Sequence, residues 1–254
     1  MTDPRQYYEN DVILRQYLEF HYGPEYFSVA NYPAVCAQQC LDALRRVHGE
    51  NISALRALEL GCAVGRTAFE LAADLAEVKA VDLSEAFIAT ARLIQREGGM
   101  RYSIDRLGEL QDERQILLQT LGLQQAAARV HFEVGDACRF ESDRPYDLVF
   151  AGNLIDRLQD PAAFLAGAAR LLTPGGLLVL SSPYTLLEEF TPRKNWLGGF
   201  QRDGREVAVL ESIESVLGKN GLRPFSPPLD IPFVIRETAR KHQHTVAEIS
   251  FWQR

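Results

Sequence analysis

No apolar run in this 254-residue chain approaches the roughly 20 residues needed to span a bilayer. The opening "MTDPRQYYEN" lacks the charged-then-apolar layout of a secretory signal. Together these absences favour a cytoplasmic protein with no membrane partner. Excess basic charge is also absent. Lys and Arg number 27 against 34 Asp and Glu, a net charge of -7, which argues against a general nucleic-acid binder. Cysteine is scarce: Cys36, Cys40, Cys62 and Cys138 form no disulfide ladder. Cys36 and Cys40 share a helical face, but no second Cys/His pair stands at partner spacing, so they read as buried structural thiols. His242 and His244 alternate on a strand, and two ligands do not make a zinc site. No metal is expected. Internal repeats and low-complexity linkers are missing too.

What is present is an ordinary globular composition, 46% hydrophobic and 24% charged, enough for a large core. The chain alternates strand and helix. Strands are expected at Ser53 to Leu60, Glu77 to Ser84, Ala128 to Ala137, Tyr146 to Asn153 and Gly175 to Pro183. Helices are expected at Gly65 to Leu75, Glu85 to Glu97 and Pro161 to Leu172, the last with proline in its first turn. This alternation implies a parallel sheet with helices on both faces. The rest divides into a helical, aromatic-rich cap over residues 1–50, a cofactor-binding core over 51–183 and a substrate loop with terminal strands over 184–254, all one domain. Within the cap, "YYENDVILRQYLEFHYG" (Tyr7 to Gly23) groups Val12, Leu14, Tyr17, Leu18 and Phe20 on a helix. "RYSIDRLGEL" (Arg101 to Leu110) suggests a short hairpin in the long connection before the third strand. Tyr184 to Gly204 has no period and reads as a lid or binding loop. A helix at Glu206 to Lys219 and strands near Asp230 to Ile235 and Thr245 to Trp252 close the chain.

The stretch "ALELGCAVGR" (Ala57 to Arg66) carries the first chemistry. A strand ends in an acid, Glu59, and turns through glycines into a helix, so backbone N–H groups face a ligand above the sheet. Asp82 ends the second strand, 17 residues after Gly65. A carboxylate there can accept both hydroxyls of a ribose, or else cap the helix that follows Ser84. "GDA" (Gly135 to Ala137) ends the third strand, where Asp136 and the Ala137 N–H can meet an adenine. "TPGG" (Thr173 to Gly176) turns into the fifth strand.

In this order, Glu59, Gly61 to Gly65, Asp82, Asp136 and "TPGG" resemble class I S-adenosylmethionine-dependent methyltransferases. The resemblance implies a Rossmann-like α/β fold with a seven-stranded, mostly parallel sheet, helices on both faces and an N-terminal helical lid. It implies S-adenosylmethionine as cofactor and S-adenosylhomocysteine as product. The implied cofactor residues are Glu59, Gly61, Cys62, Ala63, Gly65, Arg66, Asp82, Leu83, Asp136, Ala137 and Asn153. Ala63 departs from the usual middle glycine, for which a small shift without loss of binding is expected; Arg66 departs from the small residues often found there. A nicotinamide dinucleotide suits the loop less well, because Glu59 would repel a pyrophosphate but attract an ammonium or sulfonium.

Three segments, "YYENDVILRQYLEFHYG", "GNLIDRL" (Gly152 to Leu158) and "SPYTLLEEFTPRKNWLGGF" (Ser181 to Phe200), resemble a narrower group, the 4-mercaptohistidine (5-thiohistidine) N-methyltransferases of ovothiol biosynthesis. That resemblance implies a small amino-acid substrate methylated on the imidazole nitrogen beside the thiol-bearing carbon. It also implies a functional link to a sulfur-transferring iron oxygenase, here with the methyltransferase as a stand-alone chain. Asn153, Asp156 and His21 are the candidates to orient the ring or take a proton. Tyr8, Tyr22, Tyr32, Arg157, Tyr184 and Trp196 are further substrate candidates, and Arg193 or Lys194 could pair with a substrate carboxylate. Turn, cap and core-packing roles compete with each of these. Other functions that fit are methylation of another small imidazole or amine, and a non-catalytic partner that keeps the fold.

Overall fold

A computed structural model describes residues 9–254. Seven strands form one sheet in the order β10-β11-β7-β6-β1-β2-β5. They are β1 (Arg56–Leu60), β2 (Glu77–Asp82), β5 (Val130–Val134), β6 (Tyr146–Gly152), β7 (Leu172–Ser182), β10 (Arg223–Arg236) and β11 (His242–Gln253). Neighbours pair in parallel except at β11, which is antiparallel to both β7 and β10. The expected seven-stranded, mostly parallel α/β sheet is therefore present.

The sheet's two faces follow from the period of two along each strand. In β1, Leu58 and Leu60 face a core shared with helices α5 (Pro161–Arg170) and α6 (Val209–Lys219). Ala57 faces the larger core, built with α1 (Asp11–Tyr22), α2 (Tyr32–His48), α3 (Arg66–Asp74) and α4 (Glu85–Glu97). Glu59 shares the face of Ala57, so the alternation that builds the core also buries an acid at the strand's end.

Helix starts obey local chemistry. Ser84, Asn31 and Asp160 each accept a backbone N–H two or three residues into their helix, and Pro161 opens α5. Asn31 also donates its amide to the His21 carbonyl at 3.0 Å, tying the end of α1 to the start of α2.

Four expectations need correction. The hairpin is longer than "RYSIDRLGEL": β3 (Gly99–Leu107) pairs with β4 (Leu110–Leu117). The alternation of β4 is masked because Asp112 and Arg114 take inward positions beside Ile116. The terminal strands are much longer than expected, since antiparallel pairing carries them through the polar stretches. "TPGG" lies inside β7 as a register shift, with Gly175 at φ +83°. Finally, Arg205–Val207 pairs with Phe200–Arg202 as a small hairpin, β9 with β8, so α6 begins at Val209. Among the described residues no helix is long and apolar enough to cross a membrane.

Candidate active site

The order of strands reverses between β1 and β6, which leaves a crevice above their carboxyl ends. The Gly61–Gly65 loop forms its floor. The Gly61 and Cys62 N–H groups both donate to the Val81 carbonyl, at 2.8 and 3.1 Å, which ties the loop to β2. Ala63 stands in the left-handed region at φ +46°, where glycine would be unstrained. Its N–H donates to Asp82 Oδ2 at 2.8 Å, so the carboxylate at the end of β2 holds the strained residue in place. Asp82 Oδ1 accepts the Ser84 N–H at 2.9 Å. The two readings of Asp82, cavity acid and local cap, thus coexist in one side chain.

The two glycines serve different purposes. A Cβ on Gly65 would lie 2.6 Å from the Phe132 ring, so Gly65 makes room for core packing, and it does not itself line the cavity. Gly61 lines the cavity, and its missing Cβ leaves room against Leu154.

The cavity measures about 190 Å³ and has two chemically distinct halves. The half above β1, β2 and β5 carries Glu59, Asp82 and Asp136, with Leu83, Ala137 and Thr67 beside them. Glu59 is 3% exposed, and its Oε2 has no hydrogen-bond partner among the described residues. Burial pushes its carboxyl well above the usual range and the Asp82 charge adds to this; Thr67 and the Ala68 N–H act against them. Burial raises Asp82 too, opposed by the Ser84, Ala63 and Leu83 N–H groups. A buried, unpartnered acid is unfavourable by itself and suits a cationic group. Because the folded carboxyl is raised, its penalty is absent at low pH and grows as pH climbs above the unfolded value near 4.5. Glu59→Gln is therefore expected to stabilise the ligand-free protein at neutral pH by about 1–3 kcal/mol, with the gain vanishing toward pH 4. Urea unfolding at both pH values checks this, and a pH-independent difference would contradict it.

The rest of the lining includes Tyr17, Phe20, Tyr32, Phe150 and Phe233, with His21, Asn153 and Arg157 among its polar members. Asn153 sits at φ +51°, and its N–H donates to the Ser181 carbonyl at 2.7 Å. The Tyr32 hydroxyl lies 3.0 Å from Asn153 Oδ1 and 2.7 Å from Ser181 Oγ, so α2 reaches down and holds the end of β6. Burial keeps that phenol protonated by raising its pKa well above normal. Tyr32→Phe is expected to cost about 1–2 kcal/mol in urea unfolding, because it leaves Asn153 Oδ1 without its donor.

His21 is 6% exposed, and its Nδ1 has no hydrogen-bond partner among the described residues. Burial, then the Arg66 charge, lower its pKa to about 3. An imidazole this weakly basic orients a ligand better than it removes a proton.

Several candidates lie elsewhere. Cys62 and Arg66 do not line the cavity: Cys62 is buried, and Arg66 pairs with Glu70 at 2.6 Å and reaches the His21 carbonyl at 3.3 Å. Tyr22 donates to the Val64 carbonyl at 2.8 Å and does not line the cavity. Asp156 is 3% exposed and faces away from the main cavity, toward Tyr184 and Trp196. Tyr184 donates to Glu248 at 2.7 Å and Trp196 to the Thr191 carbonyl at 2.8 Å, which turns both away from it. Arg193 stacks on Trp196 and Phe200, and Lys194 is exposed. Tyr8 lies outside the described residues. Phe20, Cys36, Phe87, Phe233 and Ile235, by contrast, line the cavity although no sequence motif marks them. Among the described residues, no group of three His, Cys, Asp or Glu side chains is placed to hold a metal ion.

The sequence is 29% identical over 139 residues to a ubiquinone biosynthesis O-methyltransferase of Xylella fastidiosa, covering 55% of this chain and 46% of that protein. The chain thus spans about half the length of the curated relatives it matches. In fold it is similar to magnesium protoporphyrin IX methyltransferase of Synechocystis, solved with bound S-adenosylhomocysteine, at TM-score 0.57 and 18% identity over 98% of this chain and 97% of that one. It is also similar to phosphoethanolamine N-methyltransferase 2 of Haemonchus contortus, at TM-score 0.55 and 20% identity over 91% of this chain and 46% of that one. The family model described as a methyltransferase domain matches residues 32–226, a span that includes the glycine loop, all three cavity acids and Asn153, and the chain belongs to that family.

Proposed function

We propose that this methyltransferase moves a methyl group from S-adenosylmethionine to an imidazole nitrogen of 5-thiohistidine. The chain is an S-adenosylmethionine-dependent methyltransferase acting on a small molecule. The observation that carries the finer reading is the pairing inside one cavity of an acidic half with an aromatic, polar-tipped half. All three segments that resemble thiohistidine methyltransferases contribute lining residues to that cavity, the third through Pro183.

The acidic half fits the cofactor's charge. Glu59, with a buried oxygen lacking a partner, holds the cationic methionine end. Asp82 accepts ribose hydroxyls, and Asp136, Leu83 and the Ala137 N–H surround the adenine. When bound, the cofactor supplies an electrophilic methyl group on a sulfonium, so the protein's task is alignment and exclusion of water. Tyr17, Phe20, Tyr32 and Phe233 give a flat acceptor an aromatic enclosure. Neutral His21 and Asn153 offer it hydrogen bonds. A ring thiolate raises electron density at nitrogen, so the ring attacks without a strong protein base. The acceptor's charge rises by one as the methyl joins it. A sulfur-inserting oxygenase is the class of enzyme that supplies such a substrate.

The test is a mass-spectrometric transfer assay with S-adenosylmethionine and 5-thiohistidine, with histidine, other small imidazoles and amines, and a catechol in parallel. A thiohistidine product one methyl group heavier, formed together with S-adenosylhomocysteine, is expected. Turnover of histidine or catechol alone, or no thiohistidine product from protein shown to bind the cofactor, would overturn the substrate assignment.

A further inference from the structure

The charges in the cavity are sorted by position. Three carboxylates, Glu59, Asp82 and Asp136, occupy the half above β1, β2 and β5. The rest of the lining contains no acid among its described residues, and Arg157 is the one Lys or Arg side chain in it. His21, the other basic side chain there, stays neutral for the reasons of burial and charge given above.

Arg157 is held for this position. It closes the short 3-10 turn Ile155–Arg157 that leaves β6. Its guanidinium lies 4.6 Å over the Phe190 ring, a cation–π contact that fixes its plane. Asp156 Oδ2 stands 3.8 Å from Arg157 Nη1, close enough to attract it and too far to hydrogen-bond. Nη1, the nitrogen turned toward Asp156, is buried and has no hydrogen-bond partner among the described residues, and Asp156 Oδ1 is likewise unpartnered. Asn153 Oδ1, a neutral acceptor nearby in sequence, is engaged by Tyr32. A guanidinium has five N–H donors, so one loosely paired with a single carboxylate keeps donors for a second anion supplied by a ligand.

We infer that Arg157 is the anion anchor of the acceptor half: the methyl acceptor carries a carboxylate or ring thiolate, which Arg157 binds while Phe190 and Asp156 fix the guanidinium. This rests on the methyl-transfer reading in that it assigns the aromatic half to the acceptor. 5-Thiohistidine offers both anions, and Arg157 replaces Arg193 and Lys194 as the cation that meets them.

The experiment is calorimetry on the wild type and Arg157→Gln, each loaded with S-adenosylhomocysteine. Benzoate and benzamide form one probe pair, equal in shape and different in charge. Benzoate is expected to bind the wild type roughly ten- to a hundredfold more tightly than benzamide, and Arg157→Gln is expected to erase that difference. S-Adenosylhomocysteine affinity should not change. Equal binding of the two probes by the wild type, binding of neither, or an equal loss of both in the variant would overturn the inference. An equivalent loss of S-adenosylhomocysteine affinity would also overturn it, because the cation would then serve the cofactor's carboxylate. The source of the anion is read from 5-thiohistidine, histidine and decarboxylated 5-thiohistidine. If Arg157 holds the carboxylate, the variant loses affinity for the first two; if it holds the thiolate, for the first and third. Failure of 5-thiohistidine to bind or turn over while benzoate still depends on Arg157 would sink the substrate assignment and leave the anchor standing.

Discussion

Glu19→Ala is expected to lower the unfolding free energy by about 3–5 kcal/mol, the range for breaking a buried ion pair from one side. Glu19 lies on α1 and is 2% exposed. Its Oε2 accepts the Tyr102 hydroxyl of β3 at 2.6 Å, and its Oε1 accepts the Tyr26 hydroxyl. Arg114 of β4 and Arg236 of β10 approach Oε1 at 3.4 and 3.5 Å. Removing the carboxylate leaves Arg236, whose side chain is 4% exposed, with Asp112 as its remaining carboxylate, at 2.6 Å. It also strips the buried Tyr102 phenol and the half-buried Tyr26 phenol of their acceptor. Glu19→Gln keeps an acceptor for the tyrosines and should lose about half as much. Urea unfolding monitored by tryptophan fluorescence separates the three proteins, and a loss below about 1 kcal/mol for the alanine variant would show that the cluster does not clamp α1. The consequence reaches the cavity, since Tyr17, Phe20 and His21 of the same helix line it.

Asp82→Ala is expected to weaken binding of S-adenosylmethionine and S-adenosylhomocysteine by about 1.5–3 kcal/mol, the value of hydrogen bonds to a charged group. The structure adds a second cause. Asp82 Oδ2 also accepts the Ala63 N–H, which holds Ala63 at its positive φ. Alanine would free the loop as well as remove a ligand partner. Asp82→Asn keeps an acceptor for one N–H and should fall between wild type and alanine. Calorimetry with S-adenosylhomocysteine measures all three, and unchanged affinity in the alanine variant would remove Asp82 from the cofactor site.

The acidic half of the cavity was legible in the sequence because its parts are local. Glu59, Asp82 and Asp136 each stand at or just past the end of a strand, and the sheet brings parallel strand ends to one edge. The Gly61–Gly65 turn follows directly from β1 and enters α3. The aromatic half was less legible. Asp156 and Arg157 are neighbours in one 3-10 turn, yet only Arg157 reaches the main cavity. Nothing in the order of those two letters says which one turns inward. Phe233 and Ile235 came into the cavity from β10, a strand whose inward positions depend on pairing with β11. Tyr184 and Trp196 belong to an irregular segment, and a segment without a period gives no face to assign.

By itself the sequence determined the alternation of strands and helices, the starts of α3, α4 and α5, and the acids at the strand ends. Those features are set by periodicity and chemistry within a few residues. Tertiary structure alone decided which faces meet. It brought Glu19 to Arg236, 217 residues away, filled inward positions of β4 with charge, and turned Arg157 rather than Asp156 into the main cavity. Hydrophobic period tells a chain which side to bury, while the partner of that side is chosen by packing across the whole fold.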